Sequence, residues 1–172
     1  MTETRVRPEE PADVPAIRAV VAAAFTTADN PVAVEPGLVD DLRASDAWLP
    51  ALSIVGERDG EVVAHALLSR VTVEPGGLPA LVLGPVAVRP AEQGTGLGTA
   101  VVRAALDAAR DGGETLVVLL GEPAYYRRFG FTPDTTLDSA WSGNEYWQSL
   151  ALDPAAAGLT GVVRFPTPWH GL

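Results

Sequence analysis

The sequence predicts an α/β sandwich around a mixed sheet, and three observations carry that prediction. Leu81 to Val88 is an apolar strand pattern that runs into a glycine-rich turn and then a helical pattern from about Leu97 to Arg110. Ser53 to Arg58 and Glu61 to Val73 flank Asp59-Gly60, a residue pair favoured in tight type I′ hairpin turns. Thr115 to Leu120 is almost wholly apolar, the pattern of a strand covered on both faces.

The other elements follow in chain order. Thr4 to Arg7 reads as a strand, and Pro11 to Phe25 as a helix that recurs Ile17, Val20, Val21, Ala24 and Phe25 on one side. Glu35 to Ser45 gives a second helix. The helix behind the glycine turn gathers Val101, Val102, Ala105, Leu106 and Ala109 on one side, and Gly112-Gly113 stops it. Pro123 to Phe129 reads as a short helix, with Tyr146 to Leu152 and Gly161 to Phe165 as late strands. At 172 residues, 47% of them apolar and with no linker-like stretch, residues 1–172 are expected to form one domain around one substantial core.

Composition excludes several function classes. Lys and Arg number 12 against 22 Asp and Glu, and the net charge of −10 has no basic, aromatic-interleaved stripe to offset it, so nucleic acid is not an expected partner. The same charge suits a cationic substrate, although solubility alone also explains it. Cysteine is absent, which removes disulfides, thiolate metal sites and cysteine nucleophiles. The polar start Met1-Thr2-Glu3-Thr4 lacks signal-peptide architecture and no apolar run reaches spanning length, so a cytoplasmic location and no membrane partner are expected. His170 has no metal partner at recognisable spacing, and no metal site is expected.

Glycines at a strand-to-helix turn let successive N–H groups converge on one small volume, and the new helix adds its orphan donors and positive dipole end. Such a turn suits phosphate. A Walker A loop fails, because Leu97 lies between Gly96 and Gly98 and no Lys-Ser/Thr follows. A dinucleotide fingerprint fails too: counted from Gly94, the third glycine position is Thr99, and Glu114 precedes the next apolar run instead of ending it. Gln93-x-x-Gly96-x-Gly98 directly after a strand resembles the acetyl-coenzyme A signature of the GNAT superfamily of N-acetyltransferases. Gly121-Glu122-Pro123-Ala124-Tyr125-Tyr126-Arg127-Arg128-Phe129-Gly130-Phe131 resembles the Tyr-x-x-x-Gly-Phe segment of that superfamily, especially of its YhbS-like branch. The resemblance covers most of the chain and is best from about Ser53 to Phe131.

The resemblance implies a GNAT-like sandwich with a mixed, mostly antiparallel sheet, a splayed pair of central strands and helices on both faces. Pro85 cannot donate to a ladder and marks interrupted pairing. The strands at Leu81 to Val88 and Thr115 to Leu120 are then the splayed pair, with Val86 and Val88 main-chain groups facing the cosubstrate acetyl-CoA. Gln93, Gly94, Thr95, Gly96, Leu97 and Gly98 would hold its pyrophosphate through main-chain N–H groups, and Thr99 would add a hydroxyl. Thr95 stands where many relatives carry Lys or Arg, and Arg89 and Arg103 are the candidates to compensate.

The implied activity is acetyl transfer to a primary amine by direct attack in a ternary complex. An N–H near Val86 takes the oxyanion role, and Tyr126, four residues before Gly130, the acid role, with the adjacent Tyr125 as the alternative. The base is open among His65, Glu122 at the expected mouth of the splay, and a water chain. On its strand His65 shares a side with Val63 and Leu67, the setting of a structural histidine. Trp141, Trp147 and Trp169 fall on the expected acceptor side, as pocket lining or as core. The acceptor is a small-molecule or peptide amine, and the resemblance admits a homodimer. The alternative from another class is a non-catalytic acyl-CoA-binding or regulatory module with the same fold.

Overall fold

The computed structural model describes residues 2–172. Strand β1 (Thr4–Pro8) leads through a tight 3-10 turn at Pro11–Asp13 into α1 (Val14–Phe25) and α2 (Glu35–Arg43). The helix expected from Pro11 thus becomes an α-helix only at Val14. Asp13 there accepts from Arg7 in a bidentate pair and from the Glu10 N–H, so it locks the crossing from strand to helix. β2 (Ser53–Arg58) and β3 (Glu61–Glu74) form the expected hairpin, with both turn residues left-handed: φ is 52° at Asp59 and 81° at Gly60. β4 (Leu78–Val88) begins three residues earlier than its apolar run suggests, because Pro79 and Ala80 already pair with Thr72 and Val71 of β3.

α3 (Leu97–Asp111), β5 (Leu116–Leu120) and α4 (Pro123–Tyr126) follow, and α4 continues as a 3-10 turn to Phe129. Two-residue strands β6 (Thr132–Pro133) and β7 (Leu137–Asp138), too short to leave a periodic signal, precede β8 (Trp147–Ala151) and β9 (Gly161–Arg164). Along the sheet the order is β1-β2-β3-β4-β5-β8-β6, and β9 pairs with the far end of β3 and with β7. Among the described residues, the parallel pairings are β4–β5 and β7–β9, and the others are antiparallel.

Helices cover both faces, as expected. α3 buries Val101, Val102, Ala105, Leu106 and Ala109 against Ala64, Ala66, Leu68 and Val117 of the sheet, while Ile17 and Val21 of α1 and Leu38 and Leu42 of α2 pack with Val55, Leu67 and Ala87 on the other face. Among the described residues no helix is long and apolar enough to cross a membrane.

The feature that positions the site is the parting of β4 from β5. Their parallel pairing is limited to Leu81–Val117 and Val82–Val118. Beyond that point β5 stays with β8, through Leu119–Gln148 and Leu120–Trp147, and β4 stays with β3. The β3–β4 register jumps from Leu68–Leu83 to Ala66–Val86, so Gly84 and Pro85 together oppose Leu67 alone, a bulge that turns the strand away from β5.

Candidate active site

Two cavities open on the gap between β4 and β5. One, about 480 Å³, is bounded by the upper part of β4, the glycine turn and α4; the other, about 640 Å³, is bounded by the bulge, α2 and the aromatic C-terminal segment. Phe25, Val86 and Tyr126 line both. The residues between the cavities therefore include the two that sequence analysis singled out for oxyanion and acid roles.

Main-chain alternation directs Val86. The Arg89 N–H donates to the Val63 carbonyl at 2.8 Å and Ala87 pairs with His65, so the N–H groups of Val86 and Val88 point away from β3 and into the gap. The Gln93 side-chain amide donates to the Val88 carbonyl at 3.1 Å, which ties the turn to the strand.

The glycine turn has the conformation an anion cradle needs. Gly96 caps α3 with φ +86°, a left-handed geometry that leaves the next N–H groups unbonded at the helix start, and nothing occupies the space its Cβ would fill. Gly98 lies so close to β4 that a Cβ would come 3.1 Å from Val88 Cγ2. Val86, Val88, Gln93, Gly94, Gly96, Gly98 and Thr99 all line the smaller cavity.

Thr95 and Leu97 do not line it. Leu97 is buried in the α3-side core, and the Thr95 hydroxyl donates to the Glu92 carbonyl while accepting from Arg58. The cation at this cavity is also not one that sequence analysis proposed. Arg89 pairs with Glu61 and Glu92, and Arg103 lies 5.2 Å over the Phe129 ring. Arg128 lines the cavity instead, over Tyr125 at 4.2 Å and donating to Thr99 Oγ1 at 3.4 Å. Arg128 lies inside the quoted Tyr-Tyr-Arg-Arg motif, so its position there was the available signal.

The two tyrosines separate. Their rings stand at 89° with centroids 4.9 Å apart. Tyr125 OH lies 3.2 Å from Thr99 Oγ1, on the side of the glycine turn. Tyr126 packs its ring on the Gly121 backbone, where a Cβ would meet Cε2 at 2.5 Å, and its hydroxyl makes no hydrogen bond to another described residue. Burial, with a smaller contribution from Tyr125, pushes the Tyr126 phenol up to about 12, so it is held protonated. Gln148, fully buried and not foreseen, donates to the Gly121 carbonyl at 2.8 Å and holds the backbone on which that ring rests.

Neither base candidate joins this group. Glu122 is exposed at the start of α4 and lines neither cavity, because the chain turns there to present its main-chain carbonyl to the N–H groups of Tyr125 and Tyr126. His65 is fully buried within the sheet, with Nε2 2.8 Å from Ser53 Oγ; that hydroxyl bonds Glu9, which pairs with Arg43. Burial, reinforced by Arg43, holds His65 near pKa 3 against an ordinary 6.5.

The unfolded chain therefore takes up this proton near pH 6.5 and the folded chain only near pH 3. The stability tied to neutral His65 is complete above about pH 6.5 and falls as pH drops toward 3. Urea unfolding between pH 4 and 6 should show the His65→Gln variant losing stability less steeply than wild type, by about 1 kcal/mol per pH unit. Equal slopes would mean that His65 is charged in the folded state.

Of the three tryptophans expected on the acceptor side, Trp147 is core: it is fully buried and donates to the Leu137 carbonyl at 3.0 Å. Trp141 and Trp169 line the larger cavity, edge to face at 5.6 Å. His170 is exposed and bonded to the Phe165 carbonyl, and no metal-binding cluster occurs among the described residues.

Residues 5–133 match the family model described as the acetyltransferase (GNAT) domain. The chain is 32% identical over 164 residues, 93% of its length and 95% of the relative, to the uncharacterized N-acetyltransferase YhbS of Escherichia coli K12. A solved structure of E. coli YhbS in complex with CoA superposes with a TM-score of 0.85 at 30% identity, covering 98% of this chain and 92% of that one. A GNAT family acetyltransferase from Brucella melitensis, in complex with acetyl-CoA, does so at 0.78 and 37%, covering 96% and 97%.

Proposed function

Since this chain belongs to the GNAT acetyltransferase family, we propose that it transfers the acetyl group of acetyl-CoA to a primary amine by direct attack within a ternary complex. The observation that carries this reading is the meeting of two cavities at Val86 and Tyr126: one has an anion cradle at its outer end, the other is walled by aromatic side chains. A thioester lying at that junction is reached by CoA from one side and by an amine from the other.

In this reading the α3 N-terminus and Arg128 take the pyrophosphate. The pantetheine lies along β4, where the unpaired Val86 and Val88 edge replaces a neighbouring strand. The amine nitrogen bonds to the thioester carbonyl carbon while the carbonyl oxygen gains negative charge, and the Val86 N–H donates to it. The C–S bond then breaks. Tyr126 donates toward the departing sulfur, and the proton lost by the amine leaves through water, since Glu122 and His65 are both outside the junction. The chain has no cysteine to form a covalent acetyl-thiol intermediate, which favours the direct route.

Acetyl-CoA at about 100 times its Kd should raise the melting temperature by roughly 5–10 °C, as expected for a ligand that binds only the folded chain. Free-thiol release across a panel of amines then separates turnover from mere binding. Absence of any shift at millimolar acetyl-CoA overturns the reading; a shift with no acceptor-dependent thiol release leaves a binding module instead.

A further inference from the structure

The larger cavity has an unpaired carboxylate on its wall. Glu35, in the first turn of α2, lines it together with Phe25, Trp141 and Trp169, and its Oε2 is buried without a hydrogen-bond partner. The helix dipole accounts for an acid at that end of α2 but gives Oε2 no donor. The arginines of α1 and α2 are engaged elsewhere: Arg18 pairs with Asp40, and Arg43 with Glu9 and Asp40. The carboxylate makes no hydrogen bond or ion pair with another described residue, and its second oxygen, which is not buried, is free to accept a donor from the cavity.

The same cavity has aromatic walls suited to a cation. Trp169 lies against the β4 bulge, where a Cβ on Gly84 would meet its ring at 3.7 Å, and Trp141 stacks edge-on to it. An ammonium supplies three donors to the carboxylate and is attracted to ring faces, while an apolar body fills the rest of the space. A net charge of −10 adds a long-range bias toward cations.

We propose that Glu35 is the anchoring carboxylate of the acceptor cavity, and that the acceptor is a small cationic amine with an apolar, preferably aromatic, body. The proposal rests on the acetyltransferase reading, in which this cavity receives the amine. Glu35 holds the ammonium on arrival and Trp141 and Trp169 hold the body, next to Val86 and Tyr126. Its role is positioning, so its loss falls on acceptor KM more than on kcat.

The test is calorimetric titration of the free protein with 2-phenylethylammonium and with 2-phenylethanol, which share a body and differ in the charged group. Wild type should bind the ammonium at least about 10-fold more tightly, and Glu35→Gln should abolish most of that preference with alcohol affinity changed less than about 2-fold. Glu35→Asp, which keeps the charge, should retain part of it. Equal affinity of wild type for the two probes, or binding of neither, overturns the proposal whatever the fate of the variant; so does an equal loss for both probes in Glu35→Gln. Acetyl-CoA titration of the same samples keeps the two readings apart: failure there, with the ammonium preference intact, removes the transferase reading and leaves a cation site.

Discussion

Tyr126→Phe should lower kcat by about 10²-fold while leaving acetyl-CoA affinity unchanged, toward the lower end of what a positioned acid contributes. The substitution removes only the hydroxyl, and the ring contact with Gly121 is kept. The size follows from the proton energetics. A phenol pushed up to about 12 faces a thiol whose own value is near 8.5, so complete transfer to sulfur is uphill by roughly 5 kcal/mol. Tyr126 therefore acts as a donor that stabilises charge growing on sulfur, and the thiolate is a tolerable leaving group even without it. Tyr125→Phe loses the contact with Thr99 beside the glycine turn, so its smaller effect should appear in acetyl-CoA affinity. Single-turnover rates on a good acceptor decide the matter: a wild-type rate for Tyr126→Phe, or the large loss in Tyr125→Phe, removes Tyr126 from the role.

The parts of the site that were legible in the sequence are those written in main-chain chemistry. Gly96 and Gly98 are constrained by a φ of +86° and by the approach of Val88, and Pro85 by its missing donor, so residue type alone betrays the geometry there. The Asp59-Gly60 hairpin was legible for the same reason. What stayed hidden depends on which side chains distant segments bring together. Glu35 reads as an ordinary first-turn acid, and only packing of the C-terminal segment onto the bulge gives it two tryptophans for company. Gln148 sits among apolar strand residues, and its bond to the Gly121 carbonyl depends on β8 lying beside β5.

The partners of charged side chains were the least legible in the sequence, again for a physical reason. Arg89 and Arg103 are as close to the glycine turn in sequence as any cation, yet Glu61, Glu92 and the Phe129 ring engage them. Arg128, thirty residues downstream of Gly98, reaches the cavity because the turn that continues α4 brings it beside Thr99 at the start of α3. Glu122 fails from the opposite cause: it does lie just past the end of β5, but the N-terminus of α4 uses its main chain and leaves its carboxylate in solvent. Position just past the end of a strand predicts where a residue is, not which way its side chain turns.

Gly96→Asp should weaken acetyl-CoA binding by about 100-fold or more, with Gly96→Asn losing much less. The pair is chosen because both residues tolerate left-handed backbone better than other non-glycine types, so each incurs a similar folding cost at φ +86°, roughly 1 kcal/mol. They are also nearly equal in size, and nothing within 4 Å of the Cβ position obstructs either in the free protein. What differs is one negative charge directed at the volume where α3 presents its unbonded N–H groups. Against a phosphate about 4 Å away, that charge costs a few kcal/mol at the effective dielectric of a protein surface, which is the stated hundredfold. Titration calorimetry at two salt concentrations checks the cause, because a penalty of this origin shrinks on screening whereas a steric one does not. Equal affinity of the Asp and Asn variants would remove the pyrophosphate from this turn.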